Sequence, residues 1–286
     1  MNNKRRLFST LLCVAALTAG LFVSGCGSDK AGGIGSVVSS VVDGGSDEKA
    51  AAKLNTLIDA TNRFNGDNAT WGQNYADSLA KLKGGFQEGA IGRQPHYDTL
   101  KEALEQSKKE GSTFKEVDTE RDNVLNVLNE LVPTFKDLKA YDDSKAYMND
   151  GGAKGKELAA KYVAQVEKFD AAYAKFNDAL NKANTEQTKK QIEKLKKDGK
   201  KGYAAAMEST LRLTTLVENV EKAPKNADKQ AVEKELNEIQ TLLKSINNDR
   251  GEVLVNSYNS VVGSVRQVLT DANENNLNDM IENFNN

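Results

Sequence analysis

Residues 162–180 read YVAQVEKFDAAYAKFNDAL and carry the clearest structural pattern in the chain. Large apolar side chains follow one another at steps of four, three, four, three and four residues, at Tyr162, Val166, Phe169, Tyr173, Phe176 and Leu180. In an α-helix this spacing places all of them on one face. The steps form a heptad seam, which is typical of helices that pack nearly antiparallel to one another. The stretch therefore predicts a long helix in an all-α fold.

The same spacing recurs on both sides of this stretch. Apolar residues at helical spacing occur near 54–64, 75–82, 98–104, 124–138, 207–220, 232–246 and 254–269. The valine-rich segment after Gly251 keeps the three/four spacing, which argues against the alternation of a strand. These patterns predict an all-α, elongated antiparallel bundle of about six to eight helices over residues 49–286. The bundle forms either one domain or two sub-bundles of about 49–180 and 181–286.

Glycines and prolines predict where some helices end. Gly66 and Gly84-Gly85 are expected to interrupt the helical pattern, because glycine is a poor helix former. Pro95 suits the first turn of a helix. Pro133 falls inside a strong apolar stripe and predicts a kink or the loss of one backbone hydrogen bond.

The N-terminal residues resemble a secretory signal. Three basic residues at positions 4–6 precede Leu7–Val23, which contains no charged residue. Seventeen residues are at the short limit for a membrane-spanning helix. The apolar segment ends at Val23-Ser24-Gly25-Cys26.

These four residues resemble the bacterial lipobox: a branched apolar residue, a small one, Gly or Ala, and then Cys. The resemblance implies diacylglycerol on the thiol of Cys26, cleavage before Cys26 and acylation of the new amine. Several acyl chains hold a protein at a bilayer more firmly than one chain does. The alternatives are an ordinary signal cleaved near Ala19-Gly20, or an uncleaved anchor.

The lipobox interpretation assigns residues 1–25 to a removed signal peptide and residues 26–48 to a lipidated cysteine with a tether. Residues 27–48 are rich in Gly and Ser, which is typical of a flexible linker. A helical apolar stripe at Ile34, Val37, Val38, Val41 and Val42 favours a docking helix instead. Both interpretations remain open.

Residue 27 bears on where in the cell envelope the protein is expected to be located. It is glycine, whereas Asp at this position resembles an inner-membrane retention signal. By this analogy the outer membrane is the expected location.

Composition excludes several classes of function. Without residues 1–25 the chain has 36 basic and 41 acidic residues, a net charge of −5. This balance gives no electrostatic case for nucleic-acid binding. Cys13 leaves with the signal, Cys26 carries lipid, and His96 is the one histidine. Disulfides, zinc sites of paired histidines and Ser-His-Asp triads are therefore not expected. We predict a protein that is not an enzyme and carries no cofactor besides its covalent lipid.

The most site-like stretch is YDDSKAYMNDGGAKGKEL, residues 141–158. It lacks the glycine and hydroxyl spacing of a phosphate-binding loop, and the acidic positions of an EF-hand. Asp142, Asp143 and Asp150 are candidate ligands of a looser calcium site. The alternative is a glycine-containing connection between two helices, which we favour.

Seven lysines fall between Lys189 and Lys201, together with Glu193 and Asp198. A run of this kind is usually a solvated helix face. Contact with anionic lipid or with a cell-wall polymer is the alternative.

Two segments resemble the YiiG-like bacterial lipoproteins, a domain family of unknown function. They are KLNTLIDATNRFN, beginning at Lys53, and AYDDSKAYMNDGGAKGKELAAKYVAQVEKFDAAYAKFNDAL, beginning at Ala140. The resemblance covers roughly Lys49 to the C-terminus. It implies an all-helical envelope protein, and it carries over no catalytic residues.

Two hypotheses for function follow from the sequence. The first is a lipid-anchored, non-catalytic binding or scaffold module, with an envelope protein or a cell-wall polymer as partner. The second is a periplasmic protein that binds a small molecule or a metal near Asp142, Asp143 and Asp150.

Overall fold

The computed structural model describes residues 46–285, except residue 93, residues 112–113 and residues 247–248. The side chains of residues 46–49, 67–73, 249–254 and 285 are also outside the description. The predicted signal peptide, Cys26 and the stripe at residues 34–42 lie outside the described residues. The tether does as well, apart from residues 46–48, which begin the first helix.

The described part of the chain is helical and contains no strand, which confirms the predicted all-α fold class. The α-helices are α1 Ser46–Lys83, α2 Tyr97–Lys109, α3 Lys115–Asp143, α4 Tyr147–Asp150, α5 Ala153–Lys197, α6 Lys201–Lys222, α7 Lys229–Leu243, α8 Asp249–Thr270 and α9 Glu274–Asn285. A short 3₁₀ helix, Pro224–Asn226, lies between α6 and α7. None of these helices has a stretch long and apolar enough to cross a bilayer.

Residue contacts divide the described chain into two compact units. The first unit contains residues 46–183 and the second contains residues 184–285. The boundary between them falls inside α5.

The heptad seam of α5 forms the core of the first unit. All of its members are buried, and Tyr162, Val166 and Phe176 have 0% of their surface exposed. The ring centroid of Phe64 in α1 lies 5.8 Å from that of Phe169 and 5.3 Å from that of Tyr173. Both ring pairs have the edge-to-face geometry that aromatic side chains prefer. The seam therefore joins α5 to α1 through aromatic contacts.

The α2 and α3 helices complete this core. The ring centroid of Tyr97 in α2 lies 4.9 Å from that of Phe169. Phe135 in α3 lies 5.6 Å from Tyr162, again between ring centroids. Pro133 lies inside α3, and the helix continues on both sides of it.

The second unit has an aliphatic core. It is built mainly from buried leucine, valine and isoleucine side chains of α6, α7 and α8, with Tyr258 of α8 and Met280 of α9. The helix α7 begins at a capped end, because Oδ1 of Asp228 accepts hydrogen bonds from the amides of Gln230 and Ala231 at 3.0 and 3.1 Å. The valine-rich segment after Gly251 lies in α8, as its spacing predicts.

Two of the predicted boundaries are wrong. Gly66 does not end a helix, since α1 continues from Ser46 to Lys83. A Cβ atom at Gly66 would meet nothing within 4 Å, and one glycine costs a helix only about 1 kcal/mol. Pro95 does not lie in the first turn of α2, because that helix begins at Tyr97. The carbonyl of Pro95 instead accepts a hydrogen bond from the Tyr97 amide at 2.8 Å.

Candidate functional site

The stretch 141–158 forms the connection from α3 to α5, and Asp150 organises it. Oδ1 of Asp150 accepts hydrogen bonds from the Tyr141 hydroxyl at 2.6 Å and from the Gly152 amide at 2.9 Å. Its Oδ2 accepts from the Lys154 amide, in the first turn of α5, at 3.0 Å. A carboxylate is favourable there because the first amides of a helix have no partner within the helix. These bonds lower the pKa of Asp150, and the bond from Tyr141 has the largest effect.

The structure does not bring Asp142, Asp143 and Asp150 together as one set of metal ligands. Both carboxylate oxygens of Asp143 accept hydrogen bonds from Nζ of Lys139, at 2.9 and 2.8 Å. Asp142 is half-buried at the end of α3. No group of three or more His, Cys, Asp or Glu side chains that could hold a metal ion is present among the described residues.

An aromatic cluster lies against the start of α5. The ring centroid of Phe86 lies 5.1 Å from that of Tyr141 and 5.8 Å from that of Tyr147. A Cβ atom built on Gly155 would lie 2.6 Å from both the Phe86 and the Tyr141 rings. Residue 155 must therefore be glycine for these rings to contact the helix backbone. Gly155 therefore has a packing role.

The same cluster holds the loop between α1 and α2. Phe86 belongs to this loop and is 9% exposed. Glu88, also in the loop, shares a hydrogen bond with the Tyr147 hydroxyl. This bond is the main cause that raises the pKa of Tyr147 to about 12, and burial and the neighbouring carboxylates add to it. The loop and the α3–α5 connection therefore form one packed structure, which we call the aromatic clasp (Phe86, Tyr141, Tyr147 and Gly155).

A pocket of about 410 Å³ lies between α1 and the same loop. It is lined by Asn74, Asp77, Ser78 and Lys81 of α1 and by Gly89, Ala90 and Gly92 of the loop. The Ser78 hydroxyl fixes the loop, since it donates to the Ala90 carbonyl at 2.6 Å and accepts from the Gly92 amide at 2.8 Å. The pocket is thus lined by the ammonium of Lys81, the carboxylate of Asp77, the amide of Asn74 and backbone groups of the loop. This lining suits a small polar ligand.

Three buried tyrosines form a second polar cluster in this unit. The hydroxyls of Tyr75 and Tyr97 lie 2.9 Å apart, and Tyr162 donates a hydrogen bond to Oε1 of Gln94. Burial raises the pKa of Tyr75 to about 12, and it raises the pKa of Tyr97 and Tyr162 well above the ordinary value. These phenols are therefore neutral hydrogen-bonding groups.

Asp170 is a partly buried carboxyl near this cluster. Burial is the main cause that raises its pKa to about 6, and the neighbouring Glu167 raises it further. Lys83 acts in the opposite direction, although Nζ of Lys83 also pairs with Glu167 at 2.8 Å. Burial therefore makes the neutral form of this carboxyl group more favourable in the folded state than in the unfolded chain.

Sequence reasoning missed the pocket and Asp170. The lining residues of the pocket are ordinary surface types, and the loop backbone contributes almost half of them. Asp170 directly follows a seam residue, Phe169, and this adjacency was the one available signal that its side chain lies beside the core.

The fold and these sites define an all-helical protein with two compact units. The model of the family described as "Protein of unknown function (DUF3829)" matches residues 48–283, and the chain belongs to that family. The match starts within α1 and ends within α9, so it includes both units. Comparison with curated proteins gave no significant match, and comparison with solved structures gave none either.

Replacement of Gly155 by alanine tests the aromatic clasp. Gly155→Ala should lower the free energy of unfolding by about 1–3 kcal/mol, because the new methyl group overlaps two packed rings. Gly66→Ala is the matched control in a helix, with open space around its Cβ, and should stabilise the protein by about 0.5–1 kcal/mol. Urea unfolding measures both. Equal effects of the two substitutions would contradict the clasp.

Asp170 makes stability depend on pH. Its pKa is higher in the folded state than the ordinary 3.8, so the folded state binds the proton more tightly. Stability should therefore fall as pH rises from about 4 through about 6. Asp170→Asn should remove this loss and stabilise the protein at pH 8 by at most about 3 kcal/mol, with little effect at pH 3.5.

Thermal unfolding from pH 3.5 to 8 measures this difference. The control is Asp178→Asn, since Asp178 is an exposed carboxylate on the same helix. An Asp170→Asn variant that is no more stable than the wild type at pH 8 would contradict the assignment.

Proposed function

We propose that this chain is a lipid-anchored cell-envelope protein whose helical domain is a non-catalytic binding or scaffold module. The observation that carries the proposal is Val23-Ser24-Gly25-Cys26, placed directly after a basic N-terminus and an apolar segment. We further propose that the chain is a YiiG-like bacterial lipoprotein. The Tyr141 to Leu158 segment supports this relation at the level of sequence.

The organisation of the chain supports an anchored module. The helical domain begins at Ser46, twenty residues after Cys26. A flexible chain of this length spans about 25 Å on average, so the anchor would leave the domain close to the bilayer. Gly27 favours the outer membrane as the location, and an envelope protein or a cell-wall polymer is the proposed partner.

The residue types support a non-catalytic role. His96 is the one histidine in the chain, and no cysteine follows Cys26. Within the stretch 141–158, Tyr141, Asp150 and Gly155 have contacts in the fold that explain them. What the domain offers a partner is a charged helical surface.

The alternative is a periplasmic protein that binds a small molecule, and one observation favours it. The pocket between α1 and the loop combines Asp77 and Lys81 with backbone groups in a volume of about 410 Å³. Its position differs from the sequence-based hypothesis, which placed a site at Asp142, Asp143 and Asp150.

The lipid anchor is tested by metabolic labelling with a palmitate analogue that carries an alkyne. The wild type should be labelled and recovered with membranes, and Cys26→Ala should lose the label, because it removes the thiol that accepts lipid. Cys13→Ala is the matched control, since Cys13 is the other cysteine and lies in the removed signal. Label retained in Cys26→Ala, or lost in Cys13→Ala, would refute the anchor. Cross-linking in living cells then tests the module, and it should capture an envelope component.

The pocket is tested by thermal unfolding with a panel of amino acids, monosaccharides and divalent cations. A ligand at about 100 times its Kd should stabilise the folded protein by about 2.7 kcal/mol. Lys81→Gln should remove that stabilisation, whereas Lys161→Gln, at an exposed lysine outside the pocket, should keep it. If no compound in the panel stabilises the wild type, the alternative function fails.

A further inference from the structure

The short helix α4 carries an exposed methionine. Met148 is 76% exposed, and it is one of two large hydrophobic side chains that stand out as exposed in the described chain. Methionine has a long, flexible side chain that ends in a polarisable thioether. In Met148 this thioether is open to reagents dissolved in the solvent.

Hydrogen bonds and ring contacts on both sides hold Met148 in this position. Its amide donates a hydrogen bond to the Lys145 carbonyl at 3.0 Å. The preceding residue, Tyr147, belongs to the aromatic clasp, where its ring centroid lies 5.8 Å from that of Phe86. Asp150, at the end of α4, accepts hydrogen bonds from the first turn of α5. The exposure of Met148 is therefore a property of a built connection between helices.

The other methionines of the helical domain are buried. Met207 of α6 is 1% exposed and belongs to a small apolar cluster with the end of α5. Met280 of α9 is 0% exposed and belongs to the aliphatic core of the second unit. The fourth methionine, Met1, lies in the predicted signal peptide. After residue 25 the chain thus combines one exposed thioether with two buried ones.

Hydrogen peroxide oxidises an accessible thioether to a sulfoxide. A lone pair of the sulfur attacks one oxygen of the peroxide, and the O–O bond breaks as the S–O bond forms. The other oxygen leaves as hydroxide and becomes water when it takes up the proton of the transferred oxygen. The sulfur loses two electrons and the peroxide gains two, so the reaction requires no further reactant. Because the peroxide must touch the sulfur, exposure decides which methionine reacts.

We propose that Met148 is the modification site at which peroxide oxidises the folded protein, with methionine sulfoxide as the product. A sulfoxide disrupts packing when it forms within a core. Met148 lies outside both cores, so its oxidation leaves the fold intact. The reaction replaces an exposed apolar group with a polar one, and it thereby changes the surface beside the aromatic clasp. This property goes beyond the proposed anchored module and does not depend on the lipid.

The test uses the chain from residue 26 with Cys26→Ala, because a free thiol would compete for the oxidant. The protein is treated with dilute hydrogen peroxide, and mass spectrometry follows the peptide that contains each methionine. Met148 should gain one oxygen atom at least about ten-fold faster than Met207 and Met280, because buried residues react only when the structure opens. In urea, where all three side chains are exposed, the three rates should become similar.

Two variants separate the site from general oxidation. Met148→Leu should abolish the fast oxygen uptake. Met207→Leu is the matched control, since leucine replaces methionine at similar volume, and it should retain fast uptake at Met148. The midpoint of thermal unfolding should be the same before and after oxidation of Met148 alone.

Three results would overturn the proposal. The first is oxidation of Met207 or Met280 as fast as that of Met148 in the folded protein. The second is a preference for Met148 that persists in urea, because exposure in the fold would then not be its cause. The third is a lower midpoint of thermal unfolding after oxidation of Met148 alone, which would show that the fold depends on this thioether.

Discussion

The contact between the Phe86 ring and the backbone of α5 at Gly155 determines much of the first unit. The ring can reach the helix because residue 155 has no side chain. Phe86 lies in the loop between α1 and α2, so this contact positions the loop. The loop in turn supplies the backbone that closes the pocket, and Gln94, which accepts the hydrogen bond from Tyr162. The close approach of the Phe86 ring to Gly155 thus connects the start of α5, the pocket and the buried tyrosines.

The all-α fold could be predicted from sequence because the seam of α5 depends on local spacing alone. The boundary predicted at Gly66 failed for a physical reason, since the cost of one glycine is small against the burial along a helix of 38 residues. The site was harder to predict. The role of Gly155 depends on Phe86, which is distant in sequence, and the pKa of Asp170 depends on which helix covers it. Neither relation can be derived without the tertiary arrangement.

The ionisable and hydrogen-bonding side chains divide into two groups. Those of the connection between α3 and α5, above all Asp150, are occupied by hydrogen bonds within the fold. Those on the outside include ion pairs such as Lys83 with Glu167 and Lys139 with Asp143. In both groups the partners of these side chains belong to the fold itself.

The raised pKa of Asp170 couples folding to the uptake of a proton. At pH 5 the carboxyl of the unfolded chain has largely lost its proton, whereas the folded protein, with a pKa of about 6 at this residue, largely retains one. Folding at that pH therefore takes up close to one proton from the buffer through this group. The heat of folding measured by calorimetry then includes the ionisation enthalpy of the buffer, so acetate and histidine buffers at the same pH should give different apparent enthalpies for the same structural change.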